Sequence, residues 1–498
     1  MSHTVVRPAG EYRRPAWNEA ISQALPTKLQ GESTPQWVKR APLILLLVLL
    51  AALTLRLSNT AFIDEALSIN IGHDYLGYWF TGYGTGAYGA SYAGLPFAYP
   101  VLAAVLDTLG GLLLVRAFSL VCVLAATVFI YRALVHLGHQ AQGMLAAVVF
   151  ALTGPVMAVG ALATSDALVI AMLAAAFWLA VRHGEKSGVL AGVLLGLVPL
   201  IKYSAIVFLP VVLVLLFLTM PRRRALLTSA VAVILPVIGG LAFLDQISEA
   251  VALNTTDRTV SVSSTSVELL ALMTVDIGVV LVIAVAGLVL LARRGRRSAA
   301  LGLLLLVGGL ALPIAQLFLG TVTSFDKHMA FSALFLAPLA GHALARLSRG
   351  TWKLLPTILL ILVMLLIGFS RSDAIHSSWV NISPVVSVIE ADPRPGIYVS
   401  PVTESLRYHL RDHPEILSVD FSSYSQEPDL ARVAVEDQLF QSAVLRTAST
   451  GSAELDDVQE VLLQALRDSP NYQLTATMPA RDYTETDMWL VFTKVETQ

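Results

Sequence analysis

One cysteine in 498 residues excludes a disulfide framework. Cys122 has no intrachain partner, and a cysteine-based metal site cannot be built from it. Charge is also scarce: Asp, Glu, Lys and Arg make up 14% of the chain, against about 25% in a soluble domain. The few charges nearly cancel, to a net -2, so the broad basic surface that nucleic acid requires is absent. Lys and Arg are missing altogether from Ser58 to Val115. A secretory signal pattern is lacking too. Residues 1–40 are polar and carry Arg7, Arg13, Arg14, Lys28, Lys39 and Arg40, and the first apolar run starts too late for a signal core. This opening stretch reads as a disordered cytoplasmic leader.

What remains is apolar sequence, 56% of the chain. Runs near 20 residues recur through residues 41–370, each long enough to cross ~30 Å of hydrocarbon. The fold class is therefore a polytopic α-helical membrane protein. Lys and Arg in short loops set the orientation. The basic leader places the N-terminus inside, and the loop 58–111, empty of cations, lies outside. Helices are expected at 41–57, 112–135, 141–160, 162–181, 225–244, 267–292, 298–319, 329–346 and 354–370, and residues 187–220, interrupted by Pro199, Lys202 and Tyr203, read as two shorter ones. Every basic cluster then falls on one side, which supports about eleven spans.

Composition turns ordinary after Arg371. Residues 373–498 hold strand-like stretches at Gly396–Ser400, Ile416–Phe421, Ser442–Thr447, Tyr472–Thr477 and Met488–Lys494, with helical stretches at Thr403–Arg411 and Ala453–Arg467. Leu455, Val458, Val461, Leu462 and Leu466 repeat at a helical period. An extracytoplasmic α/β domain is expected, large enough for its own core. The chain thus divides into a leader (1–40), a membrane domain (41–372) and this domain (373–498).

The outer loop carries the chemistry. Asp64 and Glu65 stand side by side at a helix start, just after the first span. Adjacent side chains diverge on a helix, so the two acids face different neighbours. Ala66–Phe80 and Pro96–Leu109 read as helices lying in the interface, the former with Tyr75, Tyr78 and Trp79 at headgroup level. Asp166, in Thr164-Ser165-Asp166, sits at the outer tip of a hairpin; it either caps a helix or faces Asp64 across a cavity. Arg116 and Lys202 are cations in apolar surroundings, where charge is costly and marks function, and they suggest an anionic ligand such as a lipid phosphate. Arg116 alternatively pairs with Asp64 or Asp107. Asp326-Lys327-His328 forms a third outer cluster that either joins the anion site or caps a helix.

His73 and Asp74 with Asp64 and Glu65 match no established metal-ligand spacing, and no metal is assigned. Gly84-Thr85-Gly86-Ala87-Tyr88-Gly89 fits GxGxxG but lacks the strand before it that a dinucleotide site needs. It reads as a flexible segment over the cavity. Asn254-Thr255-Thr256 and Asn381-Ile382-Ser383 fit a glycosylation sequon.

The stretch Phe62-Ile63-Asp64-Glu65-Ala66-Leu67-Ser68-Ile69-Asn70 after a first helix resembles the lipid-linked sugar transferases of the GT-C fold. The likeness is to the dolichyl-phosphate-mannose–protein mannosyltransferase group (glycosyltransferase family 39) and aminoarabinose-transferase-like relatives. Leu95–Pro100, Val115–Ser119, Leu200–Ser204, Lys327-His328 and Ala337–Gly341 extend it over residues 41–345. Ser68 departs from the pattern, which favours Tyr there. The resemblance implies transfer of a sugar from a polyprenyl phosphate to an acceptor hydroxyl on a glycan, lipid or protein outside the cell membrane, with inversion and no nucleotide. It implies Asp64 as general base, with Glu65 and Asp166 as further acids of the site. It implies a donor site built from Arg116 and Lys202, to which Tyr203, Tyr99, Lys327 and His328 add. Two other readings stand beside it. A transporter or flippase would line a pathway with these charges, although the acids cluster at one face. A non-catalytic scaffold would act through residues 373–498.

Overall fold

Where lipid surrounds a chain, each backbone polar group must be bonded internally, and the apolar stretches here are helical. The structure, a computed structural model, describes residues 36–55, 60–82, 92–182, 184–255, 265–348, 354–481 and 486–495. The glycine motif at 84–89 and most of the leader lie outside the described residues. Up to residue 391 the helices are α1 (Gln36–Thr54), α2 (Ile63–Thr81), α3 (Tyr99–His136), α4 (Gln140–Ala151), α5 (Gly154–Ala161), α6 (Ser165–Val181), α7 (Glu185–Ile201), α8 (Phe208–Thr219), α9 (Arg222–Ala242), α10 (Leu244–Thr255), α11 (Ser266–Ala292), α12 (Arg296–Leu319), α13 (Phe325–Leu347), α14 (Leu354–Ser378) and α15 (Ser383–Ala391).

By length and composition, six helices among the described residues can cross a membrane, or seven if the bent pair α4–α5 is one span. The pair turns by 67° where Pro155 begins α5. Three shorter apolar helices, Arg40–Thr54, Ser165–Val181 and Tyr203–Thr219, fall below that length. The structure thus supports fewer spans by length than the eleven expected. The helices stop at Thr164 and Lys202, close to the breaks expected there. Pro199 stays inside α7; the break falls at Lys202, whose backbone is extended (φ -145, ψ 109).

Two close approaches shape the region around α2. Gly110 and Gly111 leave helical geometry inside α3, Gly111 with φ 65 and ψ -171, a conformation open to glycine alone among common residues. This kink separates an N-terminal arm from the long apolar run, at the boundary expected between 109 and 112. At Gly72 a Cβ would lie 2.0 Å from the Pro100 carbonyl oxygen, so α2 packs backbone-to-backbone on that arm.

The C-terminal sheet has strands β1 (Gly396–Ser400), β2 (Ile416–Asp420), β3 (Phe440–Arg446), β4 (Tyr472–Pro479) and β5 (Met488–Lys494), in the order β2-β1-β3-β5-β4. β1 is parallel to β2 and β3, and β5 is antiparallel to β3 and β4. Helices α16 (Thr403–His409), α17 (Pro428–Glu436) and α18 (Ala453–Asp468) complete it. Successive side chains alternate faces: Val399 packs with Phe440, Val435 and Leu462, whereas Tyr398 packs with Val385, Leu406 and Trp489. All five strands lie where the sequence placed them; α15 and α17 are additional.

Candidate active site

The first turn of α2 sends its two acids in different directions. Glu65 is fully buried. Its Oε1 accepts from Arg116 Nε (2.9 Å) and from the Ala163 backbone N–H (2.7 Å). Its Oε2 accepts from Arg116 Nη2 (2.7 Å) and from the Phe62 N–H (2.8 Å). Arg116 Nη2 also donates to the Thr60 carbonyl at 3.1 Å. This two-pronged pair joins α2, α3 and the residue before α6, and it occupies both Glu65 oxygens. Arg116, for which the sequence offered a donor phosphate, Asp64 or Asp107 as partner, pairs with Glu65.

Asp64 points the other way and its side chain keeps 40% exposure. It pairs with Lys327 Nζ, whose side chain is only 10% exposed. Lys327 sits in the first turn of α13, with Nζ 5.9 Å from the centre of the Phe62 ring. A half-open carboxylate fixed by a buried ammonium is thus presented at the start of α2.

Asp166 belongs to the same region, as a buried ion-pair partner rather than a cap. The cap position is Thr164, which makes no side-chain cap bond. Asp166 Oδ2 accepts from Thr164 Oγ1 (2.9 Å), and Oδ1 lies 3.0 Å from Lys202 Nζ. Lys202 occupies the break after α7, where backbone from residues 92–95 is stitched to it: Leu95 N–H donates to Leu200 O and Tyr203 N–H to Ala93 O, both at 2.8 Å. A Cβ at Gly94 would sit 2.0 Å from Ile201 O, so this seam admits no side chain there. His328, next to Lys327 and buried, has Lys202, Asp166 and Lys327 as its electrostatic neighbours. His328 Nδ1 and Ser332 Oγ, one turn apart, are buried with no hydrogen-bond partner among the described residues. Buried polar atoms without partners are uncommon in native folds and call for an explanation. Tyr99 is buried at the start of α3 near Glu65, and Tyr203 has Tyr75 and Tyr92 as electrostatic neighbours.

The structure therefore brings Asp64, Lys327, His328, Asp166 and Lys202 into one cluster, with Glu65–Arg116 bracing it from behind. It does not gather His73 and Asp74 there. His73 Nε2 lies 2.8 Å from Asp107 Oδ2, and Asp74 accepts from Arg407 at 2.7 and 2.9 Å.

Two features escaped the sequence. One is a three-residue bridge: Arg371 of α14 pairs with Asp276 of α11 and with Asp326, beside Lys327. Asp276 is a lone acid within an apolar run, the pattern that marks a functional partner in spans. The other is the docking of α16 on α2. Asn70 Nδ2 donates to Glu404 Oε2 (2.8 Å), Tyr408 Oη to Asp107 Oδ1 (2.6 Å) and Ser405 Oγ to Ala61 O (2.9 Å); the Ala61 N–H donates to His409 Nε2 (3.2 Å). Such long-range pairs leave no short-range signal in sequence.

The family profile described as dolichyl-phosphate-mannose-protein mannosyltransferase matches residues 96–245. Among proteins with curated sequences, none matches the chain. Solved structures do. ArnT from Cupriavidus metallidurans superposes with a TM-score of 0.57 at 14% identity, over 93% of this chain and 99% of that one. The archaeal oligosaccharyltransferase AglB from Archaeoglobus fulgidus gives 0.56 at 13%, over 93% and 74%. Arabinofuranosyltransferase AftD from mycobacteria gives 0.55 at 16%, over 94% and 40%, so the chain spans well under half the length of AftD. The chain is a polytopic helical membrane protein of the GT-C fold with a C-terminal sheet domain.

Proposed function

We propose that the chain is a membrane glycosyltransferase that moves a sugar from a polyprenyl-phosphate donor to an acceptor hydroxyl, with Asp64 as general base. The observation that carries this reading is the unlike treatment of two adjacent acids: Glu65 is saturated and buried, while Asp64 is half-open and held by Lys327. The fold supports it, as does the mannosyltransferase profile. One neighbour, ArnT, has a structure described as bound to undecaprenyl phosphate.

The chemistry follows from the placement. The acceptor hydroxyl approaches the exposed side of Asp64, which takes its proton as the oxygen attacks the anomeric carbon. A C–O bond forms there while the bond from that carbon to the phosphate oxygen breaks. The electron pair leaves on the polyprenyl phosphate, and attack opposite the leaving group inverts the centre. Lys202 and His328 meet the departing phosphate, together with Lys327 after it has fixed Asp64; fixed cations in a poorly solvated site stabilise such charge most strongly. Asp166 holds Lys202 in place. Arg116 acts through Glu65 by fixing the turn that aims Asp64.

The site faces the extracytoplasmic side in this reading, with the N-terminus inside and the C-terminal domain outside. The domain limits remain those of the sequence reading, 41–372 and 373–498. Membranes from cells expressing Asp64→Asn at normal level should lose transfer from labelled polyprenyl-phosphate sugars. Full transfer by that variant would end the assignment of Asp64. Mass spectrometry of lipid-linked sugars and envelope glycans in a deletion strain names donor and acceptor: the first accumulates and the second disappears.

A further inference from the structure

Lys327 fixes Asp64, and something must fix Lys327. The start of α13 is poorly held by its own residues. Ser324 occupies the cap position in the left-handed region (φ 59) and makes no side-chain cap bond. Asp326 is 38% exposed on that first turn and is gripped from outside the helix: Arg371 Nη2 donates to its Oδ1 at 2.5 Å. Arg371 Nε pairs at the same time with Asp276 Oδ1 on α11, whose side chain is wholly buried. One guanidinium thus ties α11 and α14 to the turn that carries Lys327.

The base of this clamp is rigid. Within α14, one turn before Arg371, a Cβ at Gly368 would stand 1.9 Å from the Leu152 carbonyl oxygen, and a Cβ at Gly154 would stand 2.9 Å from Arg371 Cβ. The helix backbone therefore sits directly on the α4–α5 bend, and Arg371 has no room to retreat. Just past the end of the same helix, the Trp379 ring packs 5.2 Å from Phe62, the residue that precedes α2. The α14 segment thus touches both halves of the Asp64–Lys327 pair, Lys327 through Asp326 and Asp64 through Phe62.

We propose that Arg371 is a positioning residue for the reaction: by bridging Asp276 and Asp326 it holds the first turn of α13 so that Lys327 meets Asp64. This rests on the reading of Asp64 as the base. In this role Arg371 acts through Lys327 and not directly on donor or acceptor. Its removal frees that turn and leaves Asp276 and Asp326 without their shared cation, and small displacements of reacting groups are costly in rate.

The test uses the full-length chain in proteoliposomes, a panel of radiolabelled polyprenyl-phosphate pentoses and hexoses for transfer, and a fifty-five-carbon polyprenyl phosphate for binding. Arg371→Gln should lower kcat on the order of 10–100-fold, while KM for the donor and affinity for polyprenyl phosphate change by less than about threefold. Arg371→Lys should restore most of kcat. Asp326→Asn should reproduce the loss, and the double variant should be no worse than either single one, since both act through one contact. A folded Arg371→Gln enzyme with wild-type kcat overturns the proposal, as do additive losses in the double variant. If Arg371→Gln does not fold, Asp326→Asn, at a half-exposed position, carries the same readouts. Asp64→Asn separates the two claims. Transfer by Asp64→Asn refutes the base assignment, whereas an inactive Asp64→Asn beside a fully active Arg371→Gln refutes this proposal alone.

Discussion

Glu65 and Arg116 form a two-pronged buried ion pair, with bonds of 2.9 and 2.7 Å, one residue away from the half-open Asp64. The pair makes separable predictions for neighbouring acids. Removing one partner of a buried pair leaves an uncompensated charge and costs about 3–5 kcal/mol. Glu65→Gln or Arg116→Met should therefore lower the thermal unfolding temperature of the protein in detergent. Asp64→Asn, at a half-exposed position, should leave that temperature nearly unchanged and remove transfer. Equal destabilisation by Asp64→Asn and Glu65→Gln would contradict this division of roles.

The Lys202–Asp166 pair predicts a binding defect in addition to a similar loss of stability. Both side chains are nearly buried, 9% and 1% exposed. If Lys202 meets the donor phosphate, Lys202→Met loses a charge-assisted contact worth about 1.5–3 kcal/mol, or roughly 10–150-fold in affinity. Titration of polyprenyl phosphate against the purified variant measures this directly. Unchanged affinity would move the phosphate site away from Lys202. Asp166→Asn should weaken binding less, because it frees the ammonium while removing only its anchor.

These sites were unevenly legible in the sequence. Asp64 and Glu65 stood out because charge is rare near an apolar run, and their divergence follows from helix geometry. The five strands and the boundary after Leu109 were visible because they rest on local composition. The unequal roles of the two acids came from the resemblance, whereas the partners of Glu65 were not visible: Arg116 and the Ala163 amide lie 51 and 98 residues away. Arg116 was read as a phosphate ligand for the same reason, since an apolar neighbourhood marks a cation without naming its partner.

The seam between α16 and α2 predicts a pH effect on stability. The His409 Nε2 accepts a hydrogen bond from the Ala61 N–H, which requires the neutral ring. Burial, followed by the charges of Arg116 and Arg411, holds its pKa below the usual histidine range. The unfolded chain therefore binds this proton more readily than the folded one, and stability falls as pH drops below about 6.5. Glu404 on the same helix acts oppositely, since burial raises its pKa, so the folded form gains relative stability as acid is added. The contribution of His409 is isolated by difference. His409→Gln should flatten the wild-type decline in unfolding temperature between pH 7 and 5, and an unchanged decline would assign the effect elsewhere.

The salt bridge between Asp74 and Arg407 tests whether α16 and α2 are coupled at all. Arg407 Nη2 reaches both Asp74 oxygens, at 2.7 and 2.9 Å, with side chains 25% and 30% exposed. Partial exposure limits the pair to about 1 kcal/mol, so Asp74→Ala or Arg407→Ala alone should shift the unfolding temperature only slightly. The informative measurement is the charge exchange. Asp74→Arg places two cations together, and Arg407→Asp two carboxylates, so each single variant should lose more stability than its alanine counterpart. The double exchange, Asp74→Arg with Arg407→Asp, should recover most of that loss, with a coupling on the order of 1 kcal/mol. If the docked helix also steadies the turn that carries Asp64, transfer rate should follow the same pattern of loss and recovery. Recovery of stability without recovery of rate would show that the seam holds the sheet domain in place without tuning the site.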